Sequence, residues 1–185
     1  MAKYRIDWGE LSAIEPTLDE VRRHVSVLAA AYNHPRNATL LGHTAVLTEA
    51  DVVDHYETLM AQAARPFLLF SGDALAGDGD VRGIANGAGE FAFLIAAPDA
   101  QGKGLGTRFA TMIHALAFEQ GIARMYASVV PDNIASRRVF EKLGYTEDTS
   151  EAARAYGDDG DVVLSIDHPT FVNRHSLANI TIAVR

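Results

Sequence analysis

The sequence predicts a mixed α/β fold in one domain, residues 1–185, with a mainly antiparallel central sheet flanked by helices. Three observations predict it: two helix patterns near the N-terminus, three apolar strand segments in the middle, and a glycine-rich turn that opens a long helix. Strand runs with segregated helices are typical of such mixed folds. The chain of 185 residues is 48% hydrophobic, which is enough to bury a core of its own.

Both N-terminal helices are predicted from their first residues. Thr17 lies three residues before Glu20, which is the spacing of a capping box, and a second helix start appears at Thr48 and Asp51. Apolar residues recur at helical intervals after each start. The segment between the two helices, residues 33–44, contains proline and glycine and predicts a loop.

The middle of the chain predicts three neighbouring antiparallel strands. The apolar runs cover residues 67–70, 75–85 and 90–97. Turn residues separate them, and Asn86-Gly87 is a strong signal for a tight hairpin turn.

Three charged residues share one face of the second of these strands. Asp78, Asp80 and Arg82 alternate along it, and alternate residues of a strand point to the same side. If helices cover that side, the charges are partly buried and need partners. If the strand is an edge or hairpin stem, the aspartates are solvated.

The second half begins with a glycine-rich turn, residues 101–107, that leads into an amphipathic helix closed by Gly121. A strand, a helix, a polar loop and a late strand follow at residues 125–130, 133–143, 147–160 and 161–166.

Composition excludes several classes of protein. The net charge of −8, from 16 basic and 24 acidic residues, argues against nucleic acid as a partner and favours a cationic one. The chain has no cysteine, which excludes disulfides, thiolate metal sites and a cysteine nucleophile. Its seven histidines lack the spacing of metal ligands, so no metal is expected.

No membrane-directing signal is present. The sequence has no run of roughly 18 apolar residues, as a membrane span requires. The N-terminus also lacks the apolar segment of a signal peptide. We therefore expect a cytoplasmic protein with no membrane partner.

The glycine-rich turn predicts an anion site. Glycines let backbone N–H groups approach a ligand, and the first turn of a helix adds unpaired donors and a positive dipole. A pyrophosphate suits such a site. Gly102, Gly104 and Gly106 fit neither the Walker-type phosphate loop nor the dinucleotide fingerprint, because their spacing is two residues throughout.

Two segments carry a resemblance to a known family. Gln-Gly-Lys-Gly-Leu-Gly at 101–106 resembles the Q/R-x-x-G-x-G/A signature of the GNAT N-acetyltransferase superfamily, and residues 133–145 resemble its N-x-x-S-x-x-[LV]-[YF]-E-K-L-G-[FY] segment. The specific resemblance covers residues 90–145. It implies a bent, mostly antiparallel sheet with helices on both faces. It also implies acetyl transfer from acetyl-CoA, as co-substrate, to a primary amine of a small molecule, peptide or protein.

The resemblance also implies where the cofactor binds. Backbone N–H groups of the glycine-rich turn would hold the pyrophosphate, the end of the preceding strand would pair with the pantetheine arm, and the later helix would contact that arm. The implied cofactor-binding residues are Ile95, Ala96, Ala97, Gln101, Gly102, Lys103, Gly104, Leu105, Gly106, Thr107, Asn133, Ser136 and Phe140.

Catalysis requires a base, because an alkyl amine is protonated at pH 7 and must lose that proton to attack. Glu90 matches a frequent base position of the family and is the first candidate; the alternative is a solvated glutamate after the Asn86-Gly87 turn. Asp80 is the second candidate. Many members have a tyrosine where this chain has Phe140, so the general acid is unassigned, with Tyr145 and Tyr156 as substitutes.

A different class of function stays open at this point. The missing tyrosine hydroxyl is compatible with a non-catalytic acyl-CoA sensor on the same fold. Many relatives form dimers, so a homodimer is compatible with the resemblance as well.

Overall fold

The computed structural model describes residues 2–41, 45–96 and 100–185. The strands of this part of the chain are β1 (Tyr4–Trp8), β2 (Leu11–Ile14), β3 (Arg65–Ser71), β4 (Ala74–Ala85), β5 (Ala88–Ile95), β6 (Arg124–Val129), β7 (Thr146–Glu147), β8 (Val162–Asp167) and β9 (Thr181–Val184). Its helices are α1 (Leu18–Asn33), α2 (Pro35–Leu41), α3 (Glu49–Ala61), α4 (Leu105–Glu119), α5 (Ile134–Leu143), α6 (Glu151–Arg154) and α7 (His168–Arg174).

The strands form one sheet in the order β7-β8-β6-β5-β4-β3-β2-β1-β9. All neighbouring pairs described are antiparallel except β5 and β6, which run parallel. The predicted mixed α/β class with a mainly antiparallel sheet is confirmed, and so is the β3-β4-β5 meander with its turn at Asn86-Gly87. Both turn residues have positive φ, 51° and 74°, as a type I′ hairpin turn requires.

Helices cover both faces of the sheet. Phe67 and Leu69 of β3 pack in the larger core with Phe109 of α4. Leu68, which points the other way, packs with Val21 of α1 and Tyr56 of α3. Alternate residues of one strand therefore belong to two different cores, so the polar residues of a central strand are enclosed as well.

The predicted helix starts are confirmed. Thr17 and Thr48 each accept a hydrogen bond from the backbone N–H three residues later. The side chains of Glu20 and Asp51 in turn accept a hydrogen bond from the backbone N–H of Thr17 and Thr48. Gly144 ends α5 in a left-handed conformation with φ 105°. A residue with a Cβ is strained there, so glycine suits this position.

Other expectations were wrong. Residues 35–41, predicted as loop, form α2, because proline is tolerated at the first helical position, where its missing N–H has no partner to lose. Residues 42–44 lie outside the described part of the chain. The predicted loop at 147–160 contains α6.

Four strands were not predicted: β1, β2, β7 and β9. β1 and β2 form a local hairpin, and long-range pairs join it to the sheet: β2 pairs with β3, and β1 pairs with β9. In the described residues, no helix combines the length and apolar character that crossing a bilayer demands.

We expect the substitution Thr17→Ala to lower the free energy of unfolding by about 1 kcal/mol, because the backbone N–H of Glu20 loses its side-chain acceptor. Urea denaturation measures this effect. Thr17→Ser is the matched control, since serine supplies the same acceptor, and it should stay close to the parent protein. An equal loss in both variants would contradict the role of the cap.

Candidate functional site

The start of α4 presents backbone donors. Gly102 and Gly104 have positive φ values of 78° and 84°, and a Cβ at either position would meet no atom within 4 Å. Gly104 is the N-cap residue of α4 and makes no side-chain cap hydrogen bond. The N–H groups of the first helical turn are therefore not capped by a side chain at this position and suit an anion.

Gly106 has a different role from the other two glycines. A Cβ at this position would lie 2.9 Å from Cε2 of Phe93 and 3.4 Å from Cγ2 of Val139. The absence of a side chain thus lets the first turn of α4 pack directly against β5 and α5. This close approach holds the helix start beside the end of β5.

β5 and β6 separate soon after they begin to pair. Their parallel register covers Ala88 with Arg124, Gly89 with Met125 and Glu90 with Tyr126, and the part of the chain that the structure describes shows no later pair. The backbone edge of β5 from Phe91 to Ile95 therefore has no strand partner on the β6 side. An extended ligand can pair with such an edge.

A cavity of about 380 Å³ lies between the end of β5, the start of α4 and the outer face of α5. Its lining residues are Arg36, Leu40, Leu41, Phe93, Leu94, Ile95, Gln101, Gly102, Gly104, Gly106, Thr107, Asn133, Ala135, Ser136, Arg138, Val139 and Lys142. Among the described residues, three cations, Arg36, Arg138 and Lys142, and no carboxylate belong to this lining. We call it the basic cavity.

The basic cavity contains eight of the residues that the sequence assigned to a cofactor: Ile95, Gln101, Gly102, Gly104, Gly106, Thr107, Asn133 and Ser136. Ala96, Lys103, Leu105 and Phe140 do not line it, and Ala97 lies outside the described residues. The three cations were missed. Arg138 and Lys142 lie one turn apart on α5, on the same face as Ala135 and Val139, and this spacing is the signal that could have found them.

Asn133 and Phe140 support the cavity from within the protein. The side-chain oxygen of Asn133 accepts a hydrogen bond of 3.1 Å from the backbone N–H of Ser136, so Asn133 caps α5. The Phe140 ring is 3% exposed and packs edge-on against Phe93 and Tyr145. The phenyl ring has no proton to donate.

Asn37 of α2 ties the two halves of the site together. Its buried side-chain nitrogen donates a hydrogen bond of 2.9 Å to the carbonyl of Ala31, and its side-chain oxygen accepts a hydrogen bond of 3.0 Å from Nε2 of Gln101. Gln101 also donates 3.1 Å to the carbonyl of Ile95. The helix that the sequence did not predict therefore positions the glycine-rich turn.

A second cavity, of about 310 Å³, lies between α1, α3 and the β4–β5 surface. Its lining residues are Tyr32, Leu41, Leu47, Asp51, Val52, His55, Asp78, Gly79, Asp80, Arg82, Ala92, Phe93 and Leu94. Its lining has three carboxylates and one arginine, so we call it the acidic cavity. Leu41, Phe93 and Leu94 line both cavities, which therefore meet at the end of β5.

Asp78 lies deep in the wall of the acidic cavity. It is 6% exposed, and its Oδ2 accepts hydrogen bonds from the hydroxyls of Tyr32 and Tyr56, the latter at 2.8 Å. Burial raises the pKa of Asp78 to about 6, against the opposing effect of the two hydroxyls. The buried alternative for this strand face is confirmed, because Asp78 and Asp80 are both enclosed.

Asp80 is held by a cation. The guanidinium of Arg82 donates to both of its oxygens, at 2.6 Å and 2.8 Å. Burial raises the pKa of Asp80, while Arg82 and His55 act in the opposite direction. Burial also lowers the pKa of His55, which favours a neutral imidazole.

Glu90 lies on the same sheet face, opposite Arg82 in the β4–β5 register, and lines neither cavity. It occupies the last β5–β6 pair, at the point where the two strands separate. Burial raises its pKa, whereas Arg82 lowers it. The structure thus brings Glu90 and Asp80 to one charged cluster around Arg82 rather than to one cavity.

Tyr145 and Tyr156, the two tyrosines considered as general acids, both form hydrogen bonds within the protein. His114 is buried and neutral, because burial lowers its pKa to about 3. Its Nδ1 donates to the carbonyl of Ala110, so its Nε2 accepts from the Tyr145 hydroxyl at 2.5 Å. The Tyr156 ring stacks on Tyr126 at 4.4 Å, and its hydroxyl donates 3.3 Å to the carbonyl of Gly83.

The described residues contain no group of three or more metal-ligating side chains.

The mainly antiparallel sheet, the separating parallel pair and the glycine-rich start of α4 define an acetyltransferase fold. The family model described as "Acetyltransferase (GNAT) domain" matches residues 17–146, and the chain therefore belongs to the GNAT acetyltransferase family.

Solved structures share the fold at low sequence identity. The aminoglycoside acetyltransferase AAC(6')-Ib in complex with paromomycin and acetyl-CoA is 18% identical, with 95% of this chain and 99% of that chain covered and a TM-score of 0.71. Spermidine N-acetyltransferase from Vibrio cholerae, in complex with CoA and spermine, is 18% identical, with 89% and 99% covered and a TM-score of 0.72.

The ribosomal-protein-S5-alanine acetyltransferase from Vibrio fischeri is 15% identical, with 90% and 98% covered and a TM-score of 0.69. No curated protein matches the sequence significantly. At these identities the solved structures establish the fold.

The raised pKa of Asp78 predicts a specific dependence of stability on pH. The folded carboxyl holds its proton up to about pH 6, whereas the unfolded one releases it at the ordinary aspartate pKa of 3.8. Stability therefore falls as pH rises through this interval, by roughly 3 kcal/mol at 1.4 kcal/mol per pKa unit. Asp78→Asn retains an acceptor for the tyrosines and should lose this component.

Urea denaturation of both proteins at intervals between pH 4 and 7 measures the difference. The parent protein should lose stability relative to Asp78→Asn across that range. Parallel curves would show that the Asp78 pKa is not raised.

Proposed function

We propose that this protein is an N-acetyltransferase that transfers the acetyl group of acetyl-CoA to a primary amine by direct attack. The observation that carries the proposal is the meeting of the basic and acidic cavities at Phe93 and Leu94. A polyanionic donor suits the first cavity and a cationic amine suits the second. Held in this way, the two reactants would approach each other at the end of β5, and such positioning accounts for much of the rate of a group transfer.

The residues of the basic cavity fit coenzyme A. The open space at Gly102 and Gly104 and the uncapped start of α4 suit a pyrophosphate, and the three cations add attraction for phosphate groups. When bound, acetyl-CoA supplies an acetyl group activated as a thioester. The solved structures with CoA or acetyl-CoA support this choice of donor.

The exposed edge of β5 suits the pantetheine arm. We propose that backbone groups near Ile95 and Ala96 pair with it as a further strand would. The N–H of Ala96 already donates 2.9 Å to the carbonyl of Ala76. Backbone N–H groups earlier on β5, on the side that β6 leaves, are therefore the ones that would stabilise the oxyanion that develops on attack.

Asp80 and Glu90 remain the two proposed bases, and we assign Asp80 first because it lines a cavity, whereas Glu90 lines neither. The reaction forms a C–N bond and breaks the C–S bond, and the amine proton passes to a carboxylate. Asp80 borders the acidic cavity, where an amine would bind, and its pKa is raised toward neutrality. Glu90 would act from the strand junction, through water.

A non-catalytic acyl-CoA sensor is the second candidate. Phe140 favours it, because no hydroxyl is present at the position where many relatives have a tyrosine. Against a panel of primary amines, an enzyme would release free CoA thiol from acetyl-CoA, whereas a sensor would bind acetyl-CoA without release. Thiol detection and calorimetry on the same protein therefore separate the two functions.

Gly104→Ala should weaken CoA binding at least tenfold, because the new methyl occupies the space in front of the helix N–H groups. Gly160→Ala is the matched control: its φ of 90° and open surroundings resemble those of Gly104, with φ 84°. Both variants should lose similar stability, about 1–2 kcal/mol, from left-handed strain. Calorimetric titration with CoA should distinguish them, and equal CoA affinities would argue against the pyrophosphate site.

Asp80→Asn should lower kcat by roughly 10²–10⁴, the usual contribution of a general base. The acid limb of the parent pH–rate profile should also lie above the ordinary carboxyl range, since the rate rises as a raised pKa is passed. Glu90→Gln is the comparison variant and should cost less, because Glu90 borders neither cavity. Full turnover of Asp80→Asn from pH 6 to 9, with a large loss in Glu90→Gln, would reverse the assignment.

A further inference from the structure

Asp78 is a buried carboxylate with which no basic side chain among the described residues forms an ion pair. Both tyrosine hydroxyls donate to Oδ2, and among the described residues no hydrogen bond reaches Oδ1 and no basic side chain pairs with Asp78. Burial of an unpaired carboxylate is costly, so proteins normally supply a counter-charge or a protonated form. The side chain borders the acidic cavity, so a ligand can supply that charge.

The neighbouring carboxylate is different. Asp80 is already paired with Arg82 through both oxygens, so its charge is largely offset within the protein. The two aspartates are equally enclosed, at 6% and 5% exposure. Burial alone therefore does not distinguish the two aspartates. They differ because Asp80 forms an ion pair with Arg82, whereas Asp78 forms none among the described residues.

The spacing of the two aspartates adds a geometric constraint. Residues two apart on one face of a strand lie roughly 7 Å from each other, and β4 keeps this register opposite Leu94 and Ala92 of β5. Val52, Leu47 and Leu94 supply apolar wall around the same cavity. An unpaired carboxylate at Asp78 and a carboxylate at Asp80 that can accept a proton, joined by an apolar surface, suit a short alkyl chain with a nitrogen at each end.

We infer that Asp78, oriented by Tyr32 and Tyr56, binds a second ammonium group of the acceptor, so that the acceptor is an alkyl diamine or a longer polyamine. The reacting nitrogen lies toward Asp80, and the second nitrogen remains protonated at Asp78. The two hydroxyls hold Oδ2, which leaves Oδ1 for the ligand. This inference rests on the proposed acetyl transfer and specifies its acceptor.

The test compares diaminobutane with butylamine, two acceptors that differ by one amino group. The parent protein should have a kcat/KM for diaminobutane at least tenfold above that for butylamine. In Asp78→Asn this ratio should fall below about threefold. The ratio is the readout because a general loss of activity from a disturbed fold would lower both values together and leave it unchanged.

Tyr56→Phe is a second variant that keeps the charge and removes one hydroxyl. It should retain most of the preference for the diamine, since the carboxylate still provides the counter-charge. A preference that persists undiminished in Asp78→Asn, or a parent protein that does not favour the diamine, would overturn the inference and leave acetyl transfer intact.

Binding without reaction separates this inference from the proposed function. Calorimetric titration of diaminobutane into the protein, with no acetyl-CoA present, should give at least tenfold weaker affinity in Asp78→Asn. If that difference appears while acetyl-CoA yields no product with any amine, the ammonium site stands and acetyl transfer fails. If diaminobutane binds both proteins equally, the ammonium site is wrong whatever the reaction.

Discussion

The separation of β5 from β6 after Glu90 is the constraint on which the site depends. A parallel pair that continued to Ile95 would satisfy the backbone edge of β5 and close the space beside it. Because β6 diverges, the end of β5 carries unpaired backbone and forms the shared wall of both cavities. Gly106 completes this arrangement, since its missing side chain lets α4 begin directly against Phe93.

Charge is divided across this wall in a way that suits two reactants of opposite sign. The basic cavity has three cations from α2 and α5, whereas the acidic cavity has three aspartates and one arginine. The net charge of −8 described neither cavity, because it averages over a surface on which the two signs are segregated. The two signs are segregated because the charged residues of β4 line one cavity, whereas the cations of α5 line the other.

The parts of the structure that were predictable from the sequence are those formed by contacts between neighbouring residues. The capping boxes at Thr17 and Thr48, the hairpin turn at Asn86-Gly87 and the glycine at 144 involve contacts within a few residues. The parts that were not predicted depend on contacts between residues far apart along the chain. β1 and β9 pair across the two ends of the chain, β2 pairs with the distant β3, and α2 is held by Asn37, whose partner Gln101 is 64 residues away.

The two site motifs show the same division. The glycine spacing at 102–106 and the helix beginning at Asn133 were sufficient to indicate an anion-binding helix start and the GNAT family, since both are local patterns of backbone freedom and capping. The partners of the aspartates could not be read in this way. Whether Asp78 has a cation, and whether Asp80 or Glu90 borders a cavity, depends on which helices pack over the sheet, and that burial is set by contacts among residues far apart along the chain.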